Sequence, residues 1–135
     1  MLKNMTDVKR FMNQEKLASF ATVDAYNRPH VVPVFFTYDN GKVYVQADRK
    51  SLKVRNLGTN HNVAVAVYRG EESVIIRGKG HIIESESEFI KRTQQHIDKY
   101  RLRLDAQGRD SMGIHLFNFQ TRCVVEITSK KIMYW

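Results

Sequence analysis

At Asp39-Asn40-Gly41-Lys42 the chain carries the local signal that most restricts its fold. Asn-Gly supplies the two consecutive positive φ angles that a two-residue hairpin turn requires. Beyond the turn the residues alternate, with Val43, Val45 and Ala47 facing one way and Tyr44 and Gln46 the other. Before it, His30 to Tyr38 reads as the preceding strand. The turn predicts that the second and third strands pair antiparallel, and it disfavours a parallel α/β fold, whose neighbouring strands need long crossovers.

The remaining elements are consistent with that class. Thr6-Asp7 followed by Val8, Phe11 and Met12 at helical spacing predicts a short helix to about Glu15, placed to cover one end of a barrel. Leu17 to Asp24 reads as the first strand and Ala25 to Pro29 as a turn. Asn62 to Arg69 alternates, Gly70-Glu71-Glu72 turns, and Ser73 to Glu84 returns as a fifth strand. Gly78 and Gly80 inside that strand mark a bulge, a bend or a close approach. Ser85 and Glu88 have capping-box spacing and open a helix expected to reach about Ala106. Gln107 to Asp110 reads as a loop, and Met112 to Gln120 fits either a buried strand or a short helix. Arg122 to Thr128 is the sixth strand, and the apolar end Lys-Ile-Met-Tyr-Trp predicts a docked final segment. Six short antiparallel strands with one long helix give an α+β class built on a β-barrel with flanking helices.

The length of 135 residues suits a single domain, residues 1–135. A formal charge of +8, from 22 basic and 14 acidic residues, attracts anions without choosing among them. Nucleic acid is not the expected partner, because Tyr44 and Tyr68 form no recognisable RNA-binding motif and one phosphate accounts for the basic residues equally well. The single cysteine, Cys123, cannot form an internal disulfide, and no stretch has the character of a signal peptide or the ~20 apolar residues of a membrane span. The expectation is a cytoplasmic protein with no membrane partner. The five histidines are scattered, so no metal site is expected. Neither a Gly-x-Ser-x-Gly elbow nor a P-loop occurs, and no catalytic residue is assigned.

One cluster does suggest chemistry. Arg49, Lys50, Lys53 and Arg55 fall close together with Ser51 among them, directly after a strand and at the opening of a short helix. Helix N–H groups, a capping hydroxyl and nearby cations converge on phosphate in many proteins. The same run would also serve as a solvated basic face. With no protein-only active site in evidence, a cofactor would supply the reactivity.

These residues resemble the pyridoxamine 5′-phosphate oxidase-like, FMN-binding split-barrel family. The resemblance runs through Leu17 to Val23, Arg28-Pro29-His30-Val31-Val32-Pro33-Val34, Asp39 to Lys42, Lys50 to Leu57, Asn62 to Tyr68, Arg77-Gly78-Lys79-Gly80 and the closing Ile127 to Trp135. It implies a six-stranded antiparallel split barrel, an obligate homodimer and FMN at the dimer interface. Lys50, Ser51 and Lys53 would hold the FMN phosphate, with Arg49 or Arg55 assisting. His30, Val32, Pro33 and Val34 would lie along the ribityl chain and ring, Gln46 would add a side-chain contact, and Trp135 or residues around Arg77 would complete the partner's pocket. The family's vitamin-processing oxidases carry further substrate-binding segments towards their C-terminus, for which this chain shows no counterpart. The implied activity is therefore that of an FMN-dependent oxidoreductase with a small-molecule substrate or electron donor. The deazaflavin F420, whose polyglutamate tail suits a basic surface, and a non-catalytic flavin or haem carrier are the alternatives.

Overall fold

The sheet order forces the chain into a curl. In the computed structural model, which describes residues 1–135, seven strands form one antiparallel sheet. They are β1 (Ala18–Val23), β2 (Pro29–Val34), β3 (Thr37–Asp39), β4 (Lys42–Asp48), β5 (Asn62–Arg69), β6 (Glu72–Ile82) and β7 (Arg122–Tyr134), in the order β2-β1-β5-β6-β7-β4-β3. The two ends of that order, β2 and β3, are separated along the chain only by Phe35 and Phe36. That link spans at most about 10 Å, whereas six flat strand spacings would separate the ends by about 29 Å. The sheet therefore wraps round until its edges approach each other.

The turn at Asn40-Gly41 forms as its residues demand, with φ of 56° and 80°. Its hairpin is shallow, pairing Thr37 with Tyr44 and Asp39 with Lys42. The expected second strand, His30 to Tyr38, is divided: Pro29–Val34 pairs with β1 across the earlier turn, and only Thr37–Asp39 reaches β4. This division accounts for seven strands where the alternation predicted six. The final segment is not separate from the sixth strand, because β7 runs continuously past a bulge and pairs along β6.

The inward faces of the strands meet in one core that includes Phe20, Phe36, Val45, Val65, Ile76 and Ile127. Each such side chain contributes about 1.5–3 kcal/mol on burial. Helix α1 (Met5–Gln14), capped by Asn4 accepting from the Asp7 N–H, presses Val8, Phe11 and Met12 into that core. Helix α2 (Leu52–Leu57) adds Leu57.

Helix α3 (Glu86–Tyr100) lies outside the sheet over a smaller cluster of Tyr44, Ile83, Phe89 and Val124. Ser85 caps it as its spacing predicts. It stops at Tyr100, short of Ala106, because Arg101 turns left-handed at φ 53° and the Leu102 N–H reaches back to the Ile97 carbonyl. Buried Arg92 ties the helix to the hairpin, donating to Asp39 at 2.6 Å and Glu88 at 2.7 Å with its guanidinium 4.1 Å from the Tyr44 ring centroid. At the far end the Tyr100 hydroxyl accepts the Phe36 N–H at 2.9 Å, and Lys99 donates to the Phe36 carbonyl at 2.9 Å and the Met12 carbonyl at 3.2 Å. Burial draws the Lys99 pKa down to about 8. The end of α3 thus holds the β2–β3 corner on which the curl depends.

No helix is long and apolar enough to cross a membrane. Residues 101–121 form neither the strand nor the helix that Met112 to Gln120 would fit. Short polar side chains turn the backbone repeatedly there: Asp110 accepts from the N–H groups of Met112 and Ile114, and Asn118 from that of Gln120.

Candidate functional site

The curl leaves a seam. On one side β2 pairs only with β1, and on the other β3 covers β4 only as far as Tyr44, leaving Val45 to Asp48 bonded to β7 alone. A cavity of about 440 Å³ opens at this seam, lined by Pro33 and Val34 from β2, Gln46 from β4, Lys53 from α2, His96 from α3 and Arg122 from β7. Leu17, Phe35 and the 101–121 loop, through Asp110, Met112, Ile114 and Leu116, complete its wall. The volume is that of an ordinary small-molecule site.

Its polar groups are unusually short of partners. Gln46 donates from Nε2 to Thr93 Oγ1 at 3.1 Å, but its Oε1 is buried and accepts nothing. Arg122 Nε is likewise buried without an acceptor. Buried polar atoms are nearly always satisfied, so two orphans on one cavity point to a molecule that completes them. Neither Lys53 nor Arg122 forms an ion pair with a carboxylate. Burial, and secondarily the Arg122 charge, push the Lys53 pKa below its ordinary value. A lysine whose charge is opposed by burial and by a neighbouring cation is what an anion relieves.

Of the residues expected at a cofactor site, Pro33, Val34, Gln46 and Lys53 come together on this cavity. His30 and Val32 do not line it; they lie on β2 opposite Thr22 and Phe20. Lys50 is exposed, and its N–H is bound by the Asp48 carboxylate. The Ser51 hydroxyl does not cap α2, contrary to expectation, because it donates at 2.7 Å to the Asp48 carbonyl. Arg49 is occupied elsewhere, donating to the Phe119 carbonyl at 2.8 Å with its guanidinium 4.8 Å from that ring's centroid. Arg55 is exposed, the Trp135 backbone pairs with Ser73, and Arg77 lies near the Met133 sulfur.

Sequence reading missed Arg122, His96 and the loop residues. Arg122 is recognisable only through its register opposite Asp48, which no local pattern reveals. The one hint in the loop was its apolar run at Met112 to Leu116. No group of three or more His, Cys, Asp or Glu side chains is placed to hold a metal ion.

A curled antiparallel sheet with three helices and a seam between its edge strands defines the split-barrel class. Within it the chain belongs to the pyridoxamine 5′-phosphate oxidase family, whose model matches residues 5–128. No curated protein matches the chain. Among solved structures it is similar to Rv2991 from Mycobacterium tuberculosis, with a TM-score of 0.85 and 18% identity over 100% of this chain and 86% of that one. It is also similar to HutZ, the haem storage protein of Vibrio cholerae, at TM-score 0.76 and 18% identity over 95% and 92% of the two chains. A structure named F420 reductase matches at TM-score 0.72 and 17% identity over 93% and 94%. At these identities the likeness is one of fold.

Proposed function

We propose that the seam cavity binds FMN, that two copies of the chain associate around it, and that the protein is an FMN-dependent oxidoreductase acting on a small molecule. The observation that carries this reading is the pairing of two carboxylate-free cations, Lys53 and Arg122, with the unpartnered Gln46 Oε1 on one cavity. Lys53 and Arg122 hold the phosphate, Gln46 offers its acceptor oxygen to a polar ring edge, and Pro33, Val34, Leu116 and Phe35 exclude water from the apolar remainder. When bound, the flavin supplies the electron-transfer chemistry that no side chain here provides.

Association is supported by the outer face of the sheet. The register places Val31, Ala21 and Ala64 in one row across β2, β1 and β5, and Pro33, Ser19 and Ala66 in the next. Val31 is 64% exposed and Tyr68, further along β5, 69%. A sheet face of small and apolar side chains suits a second sheet face.

Replacing Lys53 with alanine is expected to weaken FMN by about 2 kcal/mol, the cost of one charge-assisted hydrogen bond. Quenching of flavin fluorescence measures it, and unchanged affinity would place the phosphate elsewhere. The wild-type protein is expected to purify yellow. A colourless protein that takes F420 and refuses FMN would transfer the site to the deazaflavin, and a Soret band would transfer it to haem. Reduction of the bound flavin by NADH or NADPH separates an enzyme from a carrier.

A further inference from the structure

His96 is a buried histidine on the wall of the seam cavity that the phosphate-binding argument does not use. Its ring is held in place, with the Tyr100 ring centroid 5.0 Å away and that of Phe35 at 6.5 Å. No protein group hydrogen-bonds either ring nitrogen, and neither nitrogen is sealed from the cavity. Ring nitrogens that have no protein partner and are not closed off are available to whatever occupies the cavity. Its position is also informative. Thr93, one turn earlier on α3, bonds the Gln46 side chain, so one helix face both steadies Gln46 and carries His96, the two of which line the cavity.

We propose that His96 is a ligand-contacting residue, hydrogen-bonding the uncharged polar edge of the molecule whose anionic end sits at Lys53 and Arg122. This rests on the FMN reading and extends it to α3. The surroundings fix the imidazole as a neutral group: burial first, then Arg122 on β7 and Lys99 on its own helix, oppose protonation, and Asp110 on the loop only partly offsets them. A neutral imidazole has one N–H to give and one lone pair to offer. That matches an uncharged heterocyclic edge and offers nothing further to a phosphate.

The test compares FMN with ribitol 5-phosphate, which has the chain and phosphate but no ring, in wild-type protein, His96→Phe and His96→Gln. Phenylalanine keeps the aromatic packing without the nitrogens, and glutamine keeps one donor group and one acceptor. His96→Phe is expected to weaken FMN about tenfold while leaving ribitol 5-phosphate unchanged, and His96→Gln to stay within about threefold of wild type. In the wild-type protein, the His96 ring nitrogens followed by NMR should shift on adding FMN and not on adding ribitol 5-phosphate. Wild-type FMN affinity in His96→Phe, equal loss of both ligands, or unmoved nitrogen signals would overturn the proposal while the anion site stands. Failure of the wild-type protein to bind FMN would overturn the FMN reading and this assignment with it.

Discussion

Gly78→Ala is expected to destabilise the protein by more than about 3 kcal/mol, at or beyond the top of the usual range for overpacking. A Cβ built at Gly78 lies 2.0 Å from the Thr128 carbonyl oxygen, 2.9 Å from its carbon and 3.0 Å from Ser129 Cα. All three are backbone atoms and cannot rotate away. They approach closely because β7 carries an extra residue at this point: Arg77 pairs with Lys131 and Gly78 with Ser129, so Lys130 has no partner. The glycine is required for space. Its φ is not among the chain's positive values. Relieving the clash means parting β6 from β7, the pair that joins the two halves of the sheet order. Gly80→Ala supplies the control, since a Cβ there meets side-chain atoms, Leu57 Cδ2 at 3.0 Å and Val63 Cγ1 at 3.2 Å, which can yield. Urea unfolding should therefore rank Gly78→Ala as far more damaging than Gly80→Ala. Equal midpoints for the two variants would show that the bulge can shift to accommodate a methyl group.

What could be read in advance divides along the range of the forces involved. Asn40-Gly41 was legible because a type I′ turn is set by the residues in it. The alternation of Val63, Val65 and Val67 was legible because one sheet face is buried along the whole strand. Gly78 was readable as a special position, but not as a site of contact with Thr128, because that depends on register across two strands. The division of the second strand was hidden for the same reason: Val32 and Val34 pair with Phe20 and Ala18, and nothing local says that Thr37 will leave for Tyr44. At the cavity, Lys53 announced itself through neighbouring charges in sequence. Its counterpart Arg122 and the wall residue His96 are brought there by the curl alone, and the Asp110 and Asn118 turns concealed that the apolar run beside them is cavity lining.

Because His96 stays neutral in the folded protein, acid should destabilise the chain before the arginine-bound carboxylates titrate. The imidazole has an ordinary pKa of 6.5 when unfolded, and burial, followed by the Arg122 charge, draws it down to about 4 in the fold. Between those values the unfolded chain binds a proton that the folded chain refuses, so unfolding takes up a proton and stability rises with pH across that window. The contribution is therefore fully present above pH 6.5 and lost as the pH falls towards 4. Its size, from one pKa unit being worth about 1.4 kcal/mol, is about 3 kcal/mol. Asp24, Asp39 and Asp105, whose pKa values are held below 3.8 by their arginine hydrogen bonds, respond only at lower pH and leave this window clear. Lys99, drawn down to about 8, acts in the alkaline range and adds nothing here. Urea unfolding of the ligand-free protein at pH 7.5 and pH 4.5 should show this fall in the wild type and not in His96→Gln. An equal fall in both would mean that His96 protonates freely in the fold, and that the cavity wall around it is more open to water than its burial implies.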